Sequence, residues 1–83
     1  MTSDELRVDV RGFIISNFLY DDHADLRDDV SLFDSGTLDS TRVLELITHL
    51  ESSCDLVFAD EELVASNFDS VDHIVGFLGS KLG

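Results

Sequence analysis

The sequence predicts an all-α fold: a small bundle of three longer helices plus one short helix, with a long loop between helices 1 and 2. Two observations favour this fold. Apolar residues recur at helical spacing in three separate segments, and the 83 residues contain no proline to interrupt them. A chain of this length buries roughly 60% of its unfolded surface, so residues 1–83 are expected to form a single domain.

The first helix is predicted to begin at an N-cap formed by Ser3 or Asp4 and to end near Tyr20. Gly12 lies inside this helix, where glycine lowers stability by about 1 kcal/mol relative to alanine. We interpret it as a place where a neighbouring helix approaches closely. The apolar stripe that faces the core comprises Leu6, Val10, Phe13, Ile14 and Phe18.

The segment from Asp21 to Thr37 shows no regular period and is rich in aspartate. A loop of this length is uncommon in so small a domain and is usually functional. We expect Leu32 and Phe33 to anchor it to the bundle. Its first part lacks the spacing of a calcium-binding loop and a second zinc ligand, so no metal site is predicted. A solvated acidic loop is favoured over a weak cation site at Asp21, Asp22, His23 and Asp25.

The second helix is predicted from about Ser40 to Ser52. Serine is among the best N-cap residues, so the simplest role of Ser40 is to cap this helix. Leu44 falls on a different face from the core positions, and we expect it to be exposed one turn from Ser40. The core positions, spaced i, i+3, i+4, i+7, are Val43, Leu46, Ile47 and Leu50.

An apolar connection leads from the second helix to the last part of the chain. A short helical turn is predicted from Asp60 to Val64, with Asp60 as its cap. The last helix is predicted to begin at Asp69 or Ser70, either of which can cap it. Its apolar stripe comprises Val71, Ile74, Val75, Leu78 and Leu82.

The charge balance restricts the partners. Eighteen Asp and Glu residues against five Lys and Arg give a formal net charge of −13. This charge repels nucleic acid and anionic membranes, which bind through Lys and Arg, and it favours basic protein surfaces. We therefore expect a monomer whose partners are basic proteins, with no nucleic-acid and no membrane partner.

Cysteine content and hydropathy indicate the cytoplasm. The single cysteine, Cys54, excludes an internal disulfide and is typical of a reducing compartment. Its apolar neighbours predict a buried, unreactive thiol. No apolar run approaches the roughly 20 residues of a membrane helix, and the N-terminal charge is not that of a signal peptide.

An enzyme that used Ser40 as a nucleophile would need a base, and the candidates are His23, His49 and His73. The flanking sequence is not a Gly-x-Ser-x-Gly turn, and the bundle offers no obvious oxyanion hole. His49 lies more than two turns from Ser40 on the same helix. The sequence therefore predicts a non-catalytic protein, in which His49 and His73 are surface residues on helix flanks.

Two stretches resemble the acyl and peptidyl carrier protein family. The first reads LFDSGTLDS from Leu32 to Ser40 and continues into the helix with VLELI at residues 43–47. The second reads NFDSVDHI at residues 67–74 and resembles the stretch that opens the last helix of the family. Because the first helix and the long loop also fall in matching places, the resemblance covers nearly the whole chain.

The resemblance implies that Ser40 receives 4′-phosphopantetheine from coenzyme A through a magnesium-dependent phosphopantetheinyl transferase, which recognises Asp39. The thiol of this arm then carries an acyl or aminoacyl group as a thioester. The implied partners are an adenylating ligase or acyltransferase and a downstream synthase, condensing or tailoring enzyme. A helix N-terminus at Ser40 would also favour the negative charge of the phosphodiester.

The two residues that follow Ser40 depart from the family pattern. The family commonly has an apolar residue at the position of Thr41 and often an acidic one at that of Arg42. Both positions lie where partner enzymes dock, so partner choice is expected to differ from that of a fatty-acid carrier. The docking surface is predicted to comprise Thr41, Arg42, Leu44, Glu45 and Thr48.

The Gly-x-Leu-Asp-Ser form at residues 36–40 is similar to free-standing carriers of specialised-metabolite or aminoacyl pathways. Polyketide or nonribosomal-peptide biosynthesis, including antibiotic biosynthesis, is the favoured setting. A fatty-acid or D-alanyl-type carrier is one alternative. The other is an acidic helical interaction module that binds a basic partner without a cofactor.

Overall fold

The structure is a computed structural model that describes residues 2–19 and 26–82. Every regular element within these ranges is helical, so the predicted all-α class is confirmed. None of these helices is long and apolar enough to cross a membrane. The elements in chain order are α1 (Ser3–Ile14), a turn of π-helix (Ile15–Leu19), α2 (Ser40–Cys54), two 3₁₀ turns (Asp60–Glu62 and Ala65–Asn67) and α3 (Val71–Leu82).

α1 begins one residue earlier than predicted. Its N-cap is Thr2, not Ser3 or Asp4. The Glu5 N–H donates to the Thr2 hydroxyl at 3.2 Å, and the Thr2 N–H donates to the Glu5 carboxylate at 3.1 Å. This reciprocal pair is a capping box, and it requires a hydroxyl residue three positions before a glutamate. Thr2 and Glu5 have that spacing, whereas Ser3 and Asp4 do not.

The core lies where the apolar stripes of the three helices meet, and loop residues complete it. Two stripe residues, Phe13 on α1 and Val43 on α2, are half-buried. Leu82 is 40% exposed, which corrects its predicted place in the core, because it is the last residue of α3 and extends past the packed face. The buried apolar residues are Leu6, Val10, Ile14, Phe18, Leu26, Leu32, Leu38, Leu46, Ile47, Leu50, Phe58, Phe68, Val71, Ile74, Val75 and Leu78.

α1 packs chiefly against α3, and a cluster of charged side chains fastens this interface to the loop before α2. The Arg7 guanidinium donates to Asp28 at 2.6 Å and to Asp72 at 2.7 Å. Arg11 donates to the other carboxylate oxygen of Asp28 and to the Leu26 carbonyl. The Asp72 N–H donates to the Asp28 carbonyl at 3.0 Å. Asp28 thus joins the loop to both helices.

Asp28→Asn should weaken the fold in a pH-dependent way. Burial alone would raise the pKa of Asp28, but hydrogen bonds from Arg7 and Arg11 outweigh it and hold the pKa below its ordinary value. Such a carboxylate stabilises the fold above its unfolded pKa, and this contribution is lost as the pH falls through the folded pKa. We expect a loss of about 1 kcal/mol at pH 7, because partly exposed ion pairs are screened.

Urea unfolding of wild-type protein and Asp28→Asn at neutral and acid pH measures this effect. The difference in the free energy of unfolding should shrink as the pH falls below about 4, the ordinary pKa of an aspartate in the unfolded chain, and should vanish below the lower pKa of the folded state. A difference that is unchanged at pH 3 would contradict the assigned role of the Asp28 carboxylate.

Gly12 is exposed on α1, and a Cβ built there would meet no atom within 4 Å. The interpretation that a neighbouring helix approaches it closely is therefore wrong. Gly12→Ala should raise the free energy of unfolding by about 1 kcal/mol and the melting temperature by roughly 4–8 °C. Thermal unfolding followed by circular dichroism measures the shift, and a lower melting temperature would contradict this account.

Gly36→Ala is the matched control for the added methyl group. Gly36 has a φ of +80°, in the left-handed region that alanine adopts only with strain. The same substitution should therefore lower the melting temperature at Gly36, although a Cβ there also meets open space.

A glutamate, not the predicted Asp60, organises the first 3₁₀ turn. The Glu62 carboxylate accepts the Ala59 N–H at 2.7 Å and the Lys81 ammonium of α3 at 2.8 Å. Its hydrogen bond with Lys81, followed by that with Ala59, holds the pKa of Glu62 below its ordinary value. This carboxylate ties the segment before α3 to the last turn of α3.

Candidate functional site

Ser40 is the first residue of α2, and the cap before it is Asp39. The Asp39 carboxylate accepts the Thr41 N–H at 3.0 Å and the Arg42 N–H at 2.8 Å. The predicted capping role of Ser40 is therefore wrong by one position. Aspartate and serine are both good N-caps, and only the extended backbone of Asp39 separates the two. Ser40 is exposed, and its hydroxyl has no hydrogen-bond partner among the described residues.

The turn that leads to Ser40 is anchored at both ends by buried leucines. Leu32 is fully buried, as predicted, and Leu38 is 2% exposed. The Leu38 N–H donates to the Leu32 carbonyl at 3.0 Å, which closes the turn. Gly36 lies between them with its positive φ, and the chain reverses there. The position of Ser40 is therefore fixed by the core, not by the length of the loop.

A second anchor ties the same turn to the residues before α3. The Ser31 hydroxyl donates to the Asp69 carboxylate at 2.7 Å, and the Leu32 N–H donates to the Asp69 carbonyl at 2.5 Å. Asp69 is thus not the cap of α3. That role belongs to Ser70, the other predicted candidate, whose hydroxyl accepts the His73 N–H at 3.0 Å. The two stretches that carry the family resemblance are in direct contact here.

The electrostatics at the start of α2 are set by Asp39. The Arg42 N–H is the main cause that lowers the pKa of Asp39, and the Thr41 N–H adds to it, so the carboxylate stays ionised at neutral pH. Two of the amide groups that a helix N-terminus could offer to an anion are therefore occupied. A phosphate on Ser40 would gain less from this helix end than the sequence suggested.

Four of the five predicted docking residues are exposed on α2: Thr41, Leu44, Glu45 and Thr48. Leu44 is 59% exposed, which confirms that it lies off the core stripe. Arg42 differs because it is half-buried, and its guanidinium is directed back to the turn before Ser40.

An apolar cleft of about 190 Å³ lies beside the docking residues. One wall is α2, including Leu44, and the opposite wall is the segment between the two 3₁₀ turns, where Leu63 is 40% and Val64 is 44% exposed. The sequence predicted a short helix here, but Leu63 and Val64 were not among the predicted site residues. A signal for them was present, since two adjacent apolar residues follow three acidic ones. The lining residues are Phe33, Val43, Leu44, Ile47, Leu63, Val64, Ala65 and Phe68.

His49 is not the surface residue that the sequence suggested. Its ring stacks on Phe13 with 4.1 Å between centroids, and its Nε2 lies 3.1 Å from the Asp9 carboxylate. The Ser53 hydroxyl donates to the same Asp9 oxygen at 2.9 Å. The imidazole therefore links α2 to α1. It makes these contacts more than two helical turns from Ser40. Helix spacing alone did not reveal a partner forty residues away.

The remaining candidate groups have simple environments. His73 is exposed, as predicted, and its Nδ1 lies 2.6 Å from the Ser70 hydroxyl. Cys54 is half-buried; burial raises the pKa of its thiol and the Asp9 charge raises it further, so the reactive thiolate is disfavoured. The predicted helix end at Tyr20 lies outside the described residues, and so do Asp21, Asp22, His23 and Asp25 of the predicted acidic loop. Within the described ranges, no group of three His, Cys, Asp or Glu side chains is placed to hold a metal ion.

The geometry at the start of α2 thus combines an exposed serine, an ionised aspartate cap and an exposed leucine one turn later. Neither a protein-family model nor a curated protein matches this chain.

Proposed function

We propose that this protein is a discrete acyl or aminoacyl carrier whose Ser40 bears a 4′-phosphopantetheine arm. The observation that carries the proposal is the Ser40 hydroxyl, which is exposed and free of hydrogen bonds within the described residues. It lies within the stretch that resembles the modification site of carrier proteins. A capping serine would have had to give up its hydrogen bond before reacting, whereas Asp39 leaves Ser40 available.

The residues around Ser40 fit such an arm. In the attachment step, the Ser40 oxygen forms a bond to the phosphorus that bears the pantetheine, and the bond from that phosphorus to adenosine 3′,5′-bisphosphate breaks. The hydroxyl proton leaves to the transferase or to water. Once attached, the arm supplies a thiol that holds cargo as a thioester. The ionised Asp39 carboxylate repels the phosphodiester, so the arm is not drawn back onto the amides of α2.

The chain itself supplies tethering and recognition. A cargo attached to a folded domain has a high effective concentration at each enzyme that docks the domain. Asp39 is the proposed recognition residue for the phosphopantetheinyl transferase. Leu44, an exposed apolar residue among polar neighbours, is the proposed centre of the docking surface. All of the proposed partners would dock on this exposed face of α2. They are the transferase, a ligase or acyltransferase, and a downstream synthase, condensing or tailoring enzyme.

The net charge of −13 supports docking to basic partner surfaces. All five Lys and Arg residues are engaged within the chain, so their charge is partly neutralised by neighbours. Four form ion pairs with carboxylates, and Arg42 contacts backbone carbonyls. The outer field is therefore dominated by the acidic residues, and association with partners should weaken as salt is added.

The test of the proposal is the intact mass of the protein after incubation with coenzyme A, magnesium and a broad-specificity phosphopantetheinyl transferase. We expect a single phosphopantetheine adduct. Protein that keeps its original mass under conditions that modify a known carrier would contradict the proposal. For the cargo we propose a polyketide or nonribosomal-type intermediate rather than a fatty acyl or D-alanyl group. Loading the modified protein with candidate ligases and acyl donors tests this cargo class.

A second candidate is an acidic interaction module that binds a basic protein without a cofactor. The exposed Leu44 and the internal engagement of every Lys and Arg favour it equally. The two proposals differ at Ser40, since a pure interaction module should bind its partner equally well after Ser40→Ala. Binding lost on charge reversal of Glu45, with no adduct on Ser40, would support this alternative.

A further inference from the structure

Arg42 makes contacts that a residue serving only for docking would not need. Its guanidinium Nη1 lies 3.3 Å from the Thr37 carbonyl and 3.5 Å from the Gly36 carbonyl, both in the turn that precedes Ser40. The same guanidinium lies over the ring of Phe18, at 5.8 Å from the centroid. Arginine suits this position because its planar group can donate to carbonyls and lie on an aromatic face together.

Phe18 belongs to the turn of π-helix that follows α1, and it is buried. Arg42 therefore connects three parts of the chain. These are the π-helical turn after α1, the turn at Gly36 and Thr37, and the first turn of α2. Turns of π-helix occur frequently at functional sites. Here the π-helical turn supplies the aromatic surface beneath the guanidinium.

We propose that Arg42 is a positioning residue for the modification of Ser40. By holding the carbonyls of Gly36 and Thr37, it fixes the turn from which Ser40 emerges, and so it orients the hydroxyl for attack on coenzyme A in the transferase. This inference rests on the proposed carrier function. It assigns Arg42 an effect on the chemical step, beyond its predicted place in the docking surface.

The test compares Arg42→Met with Arg27→Met. Each substitution removes one positive charge, but Arg27 is exposed and pairs only with Asp29, at 3.3 Å, among the described residues. Arg42→Lys keeps the charge and loses the planar group, so it tests for rescue. Two measurements are made on each protein. The first is the transferase's kcat and its KM for this protein as the acceptor, at saturating coenzyme A. The second is hydrogen exchange of the Leu38 N–H in unmodified protein. Circular dichroism checks that each variant is folded.

We expect Arg42→Met to lower kcat about tenfold with KM nearly unchanged and to speed Leu38 exchange about tenfold, the effect of losing roughly one net hydrogen bond. Arg42→Lys should fall between this variant and wild type, and Arg27→Met should match wild type. A rise in KM alone, with exchange unchanged, would overturn the proposal and leave Arg42 as a docking residue. Unchanged kinetics and exchange would overturn it as well.

The two proposals fail in different ways. Wild-type protein that takes no phosphopantetheine contradicts the carrier function, and Leu38 exchange still shows whether Arg42 fixes the turn. Wild-type protein that is modified normally, with Arg42→Met equally active and equally protected at Leu38, contradicts only the role of Arg42.

Discussion

Ser40→Ala should remain folded and should take up no phosphopantetheine. The substitution deletes the oxygen that would bond to phosphorus, so the expected effect is complete loss of the adduct. Its cost in stability should be within about 0.5 kcal/mol, because Ser40 is exposed and alanine is favoured inside helices. Intact mass after incubation with coenzyme A and transferase measures the first effect, and urea unfolding measures the second.

Ser52→Ala is the matched control, because Ser52 is an exposed serine on the same helix. It should be modified to the same extent as wild type. An adduct on Ser40→Ala at the wild-type level would show that attachment lies elsewhere. A stability loss of about 1 kcal/mol or more for Ser40→Ala would instead return the capping role to Ser40.

Leu46→Asp should unfold the domain, whereas Leu44→Asp should not. Leu46 is fully buried, and Leu44, two residues earlier on α2, is 59% exposed. At position 46 the change removes a core side chain at about 2–5 kcal/mol and buries an unpaired carboxylate at several kcal/mol more. A domain of this size has a total stability of roughly 4–12 kcal/mol. At position 44 the expected change is within about 0.5 kcal/mol.

Far-ultraviolet circular dichroism and thermal unfolding of the two variants measure this contrast. If the carrier proposal holds, folded Leu44→Asp should also be loaded more slowly by partner enzymes, since a charge replaces the exposed apolar contact. Two variants with the same melting temperature would show that the faces of α2 are wrongly assigned.

The helices of this fold could be predicted from the sequence because each buries one apolar stripe. Val10, Leu50 and Leu78 belong to apolar stripes at helical spacing, and all three are fully buried. Leu44 could also be predicted to be exposed, because a residue off the stripe of an amphipathic helix faces solvent. Each of these predictions depends only on residues within one helix.

The predictions that failed depend on backbone geometry or on distant partners. Ser40 and Asp39 are both good caps, and the sequence does not say which has the extended backbone. Neighbouring positions do not reveal that His49 meets Asp9, or that Asp28 binds two arginines of α1. Arg42 was expected to face partners, but its long side chain can reach back to an earlier turn. At the site, the sequence therefore did not reveal the backbone geometry of the cap or the contacts that Arg42 makes with the preceding turn, and elsewhere it did not reveal polar contacts between distant residues.

The pairing of α1 with α3 has a consequence for how the domain forms. Arg7 and Asp72 are 65 positions apart, so their contact closes almost the whole chain into one loop. The entropy of that closure must be lost before the main helix interface can form, which makes folding slower than in a bundle of sequential neighbours. During synthesis, α1 and α2 have no completed core until α3 is made. The apolar cleft and the turn that holds Ser40 both contact residues just before α3, so they are completed only after that segment has been made.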